Sequence, residues 1–377
     1  MATESFVLTV LDVIEETADA HSIVLEVPDE LADQFSYKPG QFLTVAVPSD
    51  QTGLAARCYS LSSAPHSGQH QITVKRTVDG YASNWIHDNV RAGDTVRVLP
   101  PSGIFTPKDL DADLLLFAGG SGITPVMSIV RTALEQGSGR VVLLYANRDE
   151  RSVIFAEELT KLAEEHADRL TVVHWLESVQ GLPTSTHLQA FASYFTEFTA
   201  FTCGPAPYMK AVTEALKELG FPRERRHVEK FVSLGGNPFG DVEEMQRAAE
   251  QLRDADDHEA EDDDAVGAGT DAGEDTASDT PTIQGPITVE VELDGQDYRF
   301  EDWQGDKVLL EFLEEKGLDA PFSCREGQCS ACACVVLEGE VTLKHNEVLD
   351  QDDLADGIRL ACQSLPASEK LKITYSG

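Results

Sequence analysis

The chain has 377 residues and sets 66 acidic against 29 basic side chains, a formal net charge of −37. That length implies two or three domains, and that charge excludes nucleic acid and anionic membrane as partners, while it suits equally a basic protein partner or solvation in a salty cytoplasm. MATESFVLTVLDVIEE at the start lacks the basic opening and apolar run of a signal peptide, and LLLFA and VVLLYA are too short to span a bilayer, so a soluble cytoplasmic protein is expected.

Residues 1–108 read as β-rich. FVLTVLDVIEE, HSIVLEVP, QFLTVAVP, HQITVKRTV and DTVRVLP are short β-branched runs between Gly, Pro and Asp signals, the pattern of a small antiparallel barrel. Residues 109–232 alternate strand and helix. DLLLFAGG is a buried strand, and TPVMSIVRTALEQG a helix with Thr124 as its cap and Pro125 in its first turn. Val126, Ile129, Val130, Ala133 and Leu134 form its apolar stripe, and Gly137 ends it. RVVLLYANR, LTVVHWL and FTAFTCG are further strands, AEELTKLAEEH and PYMKAVTEALKELG further helices, together a parallel sheet wrapped by helices.

Residues 233–285 read as a linker. DVEEMQRAAEQLR has a helical period, while the acidic run after it has none and reads as a disordered tether. Residues 286–377 resume as a compact α+β unit: a hairpin turning at Asp294-Gly295, the helix KVLLEFLEEKG, a cysteine loop, and the strands CVVLEGEV and KLKITYSG.

Seven cysteines in a reducing compartment point to metal or redox chemistry rather than disulfides. CREGQCSACAC, residues 324–334, supplies four of them, and Cys362 follows later. The spacing Cys324-x4-Cys329-x2-Cys332, closed by Cys362, is that of a plant-type [2Fe–2S] site, where two irons need two thiolates each. Gly327, Ser330 and Ala331 are small or polar, so backbone N–H groups can approach the sulfurs. A four-cysteine zinc site is the alternative, but it prefers two C-x2-C pairs and the loop has one. Cys334 is the rival ligand and reads as strand packing.

These stretches carry a resemblance. PFSCREGQCSACAC and ACQS resemble the plant-type ferredoxin domain, of β-grasp fold. RCYSLSSAP resembles the flavin-binding stretch of the ferredoxin–NADP reductase superfamily. The resemblance implies that Arg57 meets the FAD pyrophosphate, Tyr59 covers the isoalloxazine and Ser60 reaches its edge, chemistry that suits a guanidinium, a ring and a hydroxyl. Read without it, R-x-Y-S is an exposed turn. VKRTVDGYASNWI is similar to the superfamily's pyrophosphate loop, with Gly80, Ala82 and Ser83 opening a helix toward the anion and Val74 and Lys75 facing the flavin.

AGGSGITPVMSI resembles the nicotinamide loop, placing Gly119, Gly120, Gly122 and Thr124 against the dinucleotide, with glycines admitting a pyrophosphate. TCGPAPYM is similar to the superfamily's C-G-P, with Cys203, Gly204 and Pro205 beside the nicotinamide, and HVEKF to its closing segment, with Glu229 and Phe231 near the flavin. Ser60, Thr124 and Cys203 are thereby implied at the reacting centre. Arg148 could grip a 2′-phosphate, but Asp149 and Glu150 would repel one, which favours NADH over NADPH.

The order flavin, nicotinamide, ferredoxin resembles the reductase components of bacterial oxygenases. ARCYSL, LLYANRDERSVIF and APFSCREGQCSACAC resemble at length those of 3-ketosteroid 9α-hydroxylases, with phenylacetyl-CoA oxygenase reductases as the sister alternative. The resemblance implies electron transfer from NADH through FAD and a [2Fe–2S] cluster to a terminal, Rieske-type oxygenase, and is compatible with a monomer. The alternative of another class is a non-enzymatic ferredoxin-type carrier or scaffold.

Overall fold

The computed structural model describes residues 5–49, 53–78, 80–231, 239, 285–293, 295–318, 320–322, 324–349 and 351–375. The helix expected over DVEEMQRAAEQLR and the acidic tether lie outside them. The chain divides into two compact units.

The first unit begins with a six-stranded antiparallel sheet. Its strands are β1 (Phe6–Thr17), β2 (Ala20–Glu26), β3 (Phe42–Ser49), β4 (Gly53–Ser60), β5 (His70–Lys75) and β6 (Thr95–Val98), in the order β4-β3-β6-β1-β2-β5. A bridge from Leu61 to Ile72 joins the two ends, which closes the sheet into the expected barrel. Leu8, Val10, Ile23, Leu43, Val45, Ile72, Val74 and Val98 fill its interior. Helix α1 (Tyr81–Asn89) packs against it through Ala82 and Ile86.

The α/β layer follows: β7 (Leu114–Gly119), α2 (Ile123–Gln136), β8 (Val141–Asn147), α3 (Ala156–Glu165), β9 (Leu170–Leu176), α4 (Glu177–Gln180), α5 (Ser185–Ala192), β10 (Thr199–Cys203), α6 (Ala206–Glu218) and β11 (Arg226–Glu229). The strands are all parallel, in the order β11-β10-β7-β8-β9. Every residue of β7 is buried, as a central strand covered on both faces requires. The order reverses between β7 and β10, so the loops leaving those two strands flank the crevice where such sheets bind ligands.

The second unit holds β12 (Ile287–Leu293), β13 (Gln296–Trp303), α7 (Leu309–Glu315), β14 (Ala333–Glu338), β15 (Val341–Leu343), α8 (Gln351–Ala355), β16 (Ile358–Leu360), β17 (Ser364–Pro366) and β18 (Lys370–Thr374). The main sheet runs β13-β12-β18-β14-β16, with β12 and β18 parallel and the other pairs antiparallel. Period two decides its inner face: Ile287, Val289, Val291 and Leu293 are buried and the residues between them are not. Leu293 pairs with Gln296 across the predicted turn, where Gly295 holds φ 73°. Leu309, Leu310, Phe312 and Leu313 bury one side of α7, and Trp303 stacks on Phe312.

Candidate flavin, nicotinamide and cluster sites

The segment that reads on its own as an exposed turn is the end of β4. Arg57 and Tyr59 are half-buried and Ser60 is buried. Tyr59 packs against the barrel core, and burial pushes its phenol well above the ordinary range. The Val74 side chain lies inside the barrel, so only its backbone can face a flavin. Its carbonyl accepts from His87 Nε2 at 2.8 Å. Lys75 sits 3.7 Å from Asp19 and points toward Gly120 of the next layer.

Gly80 takes the N-cap of α1 and has no side chain to satisfy the first-turn N–H groups, which are therefore the donors an anion would meet. The Ser83 hydroxyl accepts from the Thr77 N–H at 3.0 Å and so closes the loop itself. A Cβ on Gly80 would come 2.7 Å from Thr77 Cβ.

At the crevice of the parallel sheet the glycines answer to each other. A Cβ on Gly122 would fall 2.1 Å from the Cys203 carbonyl oxygen, and one on Gly204 would fall 3.0 Å from Gly119 Cα. A Cβ on Gly119 would meet Pro205 and Tyr208. The two loops pack backbone to backbone, and only Gly120, at φ 53°, faces open space. Packing of one loop on the other is by itself enough to require Gly119, Gly122 and Gly204, and Gly120 is the one of the four with room beside it.

Thr124 is not the helix cap. A 3₁₀ turn at Gly120–Gly122 runs straight into α2, Gly122 takes the N-cap, and Thr124 is a buried second residue. The sequence reading also missed Tyr145, whose hydroxyl donates to the Gly120 carbonyl at 3.0 Å and accepts from the Ile154 N–H at 3.3 Å. Its place in a continuous apolar strand gave no signal.

Cys203 is fully buried, and burial raises its thiol well above the usual value. It pairs in register with Glu229, which is 8% exposed and whose carboxyl burial pushes up to about 8. Phe231 is exposed. A carboxyl raised from the unfolded range holds a proton in the native state that the unfolded chain has lost. Stability is therefore greatest below about pH 4.5 from this group and falls as pH rises toward 8. Glu229→Gln should flatten the fall of melting temperature between pH 5 and 8.5. Parallel curves for the two proteins would show that the proton sits elsewhere.

Arg148 is exposed and donates to Asp149 at 3.0 Å. The same carboxylate caps the following 3₁₀ turn, accepting from the Arg151 and Ser152 N–H groups at 3.0 Å each.

In the second unit Cys324, Cys329, Cys332 and Cys362 are all buried. The loop turns through three left-handed residues, Arg325, Gly327 and Ser330. This winding aims N–H groups at sulfur: Glu326 and Gln328 donate to Cys324 Sγ, and Cys324 to Cys329 Sγ, each at 3.3 Å. Hydrogen bonding with Cys329 and Cys362 holds Cys324 far below the ordinary thiol range. The Ala361 N–H donates to the Cys332 carbonyl at 3.1 Å, which brings Cys362 to the loop. A Cβ on Gly327 would lie 2.7 Å from the His345 carbonyl oxygen.

Among the described residues no group of three His, Cys, Asp or Glu side chains closes on a single ion. The cysteine spacing is what favours a two-iron cluster over zinc, since such a cluster takes two thiolates on each metal. Cys334 points instead toward the Arg359 carbonyl, and burial raises its thiol.

The comparisons with known proteins agree with this division. Residues 8–106 match an oxidoreductase FAD-binding domain, 116–214 an oxidoreductase NAD-binding domain, and 291–367 a 2Fe-2S iron-sulfur cluster binding domain. The fold is that of phthalate dioxygenase reductase, a solved structure 24% identical with a TM-score of 0.53, each chain covered to 98%. Fold and sites together define a flavin-, nicotinamide- and iron–sulfur-dependent oxidoreductase. The ferredoxin reductase component of 3-ketosteroid-9-alpha-monooxygenase from Rhodococcus rhodochrous is 51% identical over 99% of this chain and 97% of its own. A component of the 1,2-phenylacetyl-CoA epoxidase of Escherichia coli is 29% identical over 98% and 97%. The chain belongs to the family of 3-ketosteroid-9-alpha-monooxygenase ferredoxin reductase components.

Proposed function

We propose that the chain takes electrons from NADH and delivers them to the terminal oxygenase of a 3-ketosteroid 9α-hydroxylating system, which carries a Rieske-type centre. The observation that supports this most is one chain with a glycine crevice, a flavin segment and a four-thiol loop, at high identity to such reductases. Bound FAD supplies the conversion of one hydride into single electrons that a [2Fe–2S] cluster can accept.

In this reading Arg57 and the first turn of α1 hold the FAD pyrophosphate, with Gly80, Ala82 and Ser83 shaping the turn. Tyr59, Ser60, Lys75 and the Val74 backbone line the ring. Gly119, Gly120, Gly122, Thr124, Cys203, Gly204 and Pro205 form the nicotinamide side, with Glu229 and Phe231 nearby. Cys324, Cys329, Cys332 and Cys362 are the cluster ligands. Arg148 is already engaged by Asp149, which leaves a 2′-phosphate facing a neutralised guanidinium and favours NADH over NADPH. A monomeric, cytoplasmic reductase belongs to the same proposal. No helix among the described residues is long and apolar enough to cross a membrane.

An anaerobic visible titration with NADH tests it. The expected result is a flavin band with an iron–sulfur shoulder, bleaching beyond what flavin alone absorbs. A fully reconstituted protein silent to NADH would leave the carrier or scaffold reading in its place.

A further inference from the structure

Two polar side chains of α2 reach the segment that follows β4 of the barrel. Ser128, fully buried, donates to the Ser63 carbonyl at 2.6 Å. One turn later Arg131 donates to the Ser62 carbonyl. The spacing of three puts both donors on one helix face, opposite two consecutive carbonyls.

The Arg131 guanidinium has one available orientation. It meets Glu158 of α3 with two parallel bonds, Nε to Oε1 at 2.7 Å and Nη2 to Oε2 at 2.6 Å. It also lies over the Phe155 ring, 5.2 Å from the centroid. Phe155 is buried and holds φ 60°, a left-handed conformation that a bulky residue keeps only when its surroundings impose it.

The receiving segment is equally fixed. The Ser62 hydroxyl is bonded to Thr73 at 2.8 Å, and the Ser63 hydroxyl to Tyr37 at 2.7 Å and the Gln69 carbonyl at 2.8 Å. Side chains tie this segment to the barrel, and carbonyls tie it to α2. Ser62 lies two residues beyond Ser60, and α2 starts from the Gly119–Gly122 loop. One helix thus carries the nicotinamide loop at its first turn and grips the flavin segment in its middle.

We propose that Arg131, assisted by Ser128, is a positioning residue that sets the geometry between the flavin segment and the nicotinamide loop for hydride transfer. This rests on the reading of NADH as donor. Arg131 does not touch the reacting atoms. It acts through Ser62 and the strand end that carries Ser60, and a misplacement of about 1 Å in such a geometry costs up to about a hundredfold in rate. A cavity of about 400 Å³ lined in part by Ser63, His66, Arg131, Glu158 and His166 opens beside the guanidinium, so a free guanidinium ion can enter.

The test uses the full-length holoprotein with Arg131→Ala, Arg131→Lys and Ser128→Ala. In anaerobic stopped flow at saturating NADH, flavin reduction in Arg131→Ala should slow at least about tenfold, with NADH affinity within about twofold. Arg131→Lys should recover little, because an ammonium on a shorter stem has no planar fork to keep the two-point pair with Glu158 while also reaching the Ser62 carbonyl. Ser128→Ala should show a smaller loss. Millimolar guanidinium chloride, against equal sodium chloride, should restore part of the rate to Arg131→Ala and none to Arg131→Lys. Amide hydrogen exchange over residues 61–72 should quicken in Arg131→Ala, with or without FAD. Unchanged reduction rates in all three variants would overturn the proposal. So would a loss that follows melting temperature and ignores guanidinium. A wild-type protein that NADH does not reduce would instead sink the donor assignment, and hydrogen exchange would then decide the tie alone.

Discussion

Cys329→Ser is expected to abolish NADH-driven cytochrome c reduction, to below about a hundredth of wild type, while ferricyanide reduction persists. The reasoning starts from separateness. The cysteine loop belongs to a unit with its own core, built on Trp303, Leu309, Leu310, Leu313 and Phe312. The residues proposed for flavin and nicotinamide belong to the other unit. Losing the cluster should therefore spare the hydride half, which ferricyanide reads directly, and remove the one-electron outlet that cytochrome c requires. Cys329 is buried in the loop and its sulfur accepts the Cys324 N–H, so a serine there removes a thiolate while a hydroxyl can still accept from that N–H. Cys334→Ala is the matched control. That thiol is just as buried but is directed at the Arg359 carbonyl, and its loss should cost about 1–2 kcal/mol of packing with the visible cluster spectrum intact. A bleached Cys334→Ala beside a coloured Cys329→Ser would reverse the ligand assignment. Loss of both activities in Cys329→Ser would sink the relay.

Much of this molecule was legible because its signals are local. Cysteine spacing, the strand–helix alternation after residue 109 and the turn at Gly295 are each set within a few residues of chain. The failures have physical reasons too. β4 went unseen because GLAARCYS carries small and polar residues rather than β-branched ones. Its place in the barrel comes from pairing with β3 and from the Leu61–Ile72 bridge. α5 was missed because it is eight residues long, and its capping box uses Thr184 with His187 where Glu or Gln is the usual signal. Thr124 looked like a cap because a 3₁₀ turn that feeds directly into a helix leaves no mark in the sequence. The reach of Arg131 spans 69 residues of chain, and no period or propensity encodes it.

Gly122→Ala is expected to do more harm than Gly120→Ala, in stability and in reduction by NADH. The opposite ranking would follow from backbone conformation alone. Gly120 holds φ 53°, where an alanine is strained by about 1–2 kcal/mol, whereas Gly122 sits at φ −61°, ψ −7°, which any residue adopts freely. Space decides instead. A Cβ on Gly120 would have Lys75 Nζ at 4.0 Å as its nearest neighbour, the far end of a flexible side chain. A Cβ on Gly122 would lie 2.1 Å from the Cys203 carbonyl oxygen, 2.4 Å from its carbon and 2.6 Å from the Gly204 nitrogen. All three are backbone atoms of the facing loop, so the loops must part. The loss of stability should be about 3 kcal/mol, larger than at Gly120. Parting the loops also moves Cys203 and Gly204 away from the crevice, and NADH-driven flavin reduction should fall at least about tenfold. FAD content should hold, since the residues proposed to hold the flavin stand on the barrel and α1. Thermal melts and anaerobic stopped flow on the two variants read both effects. If Gly120→Ala proves the slower with NADH while Gly122→Ala stays stable and active, the glycines serve the approach of the dinucleotide rather than the packing of one loop on the other.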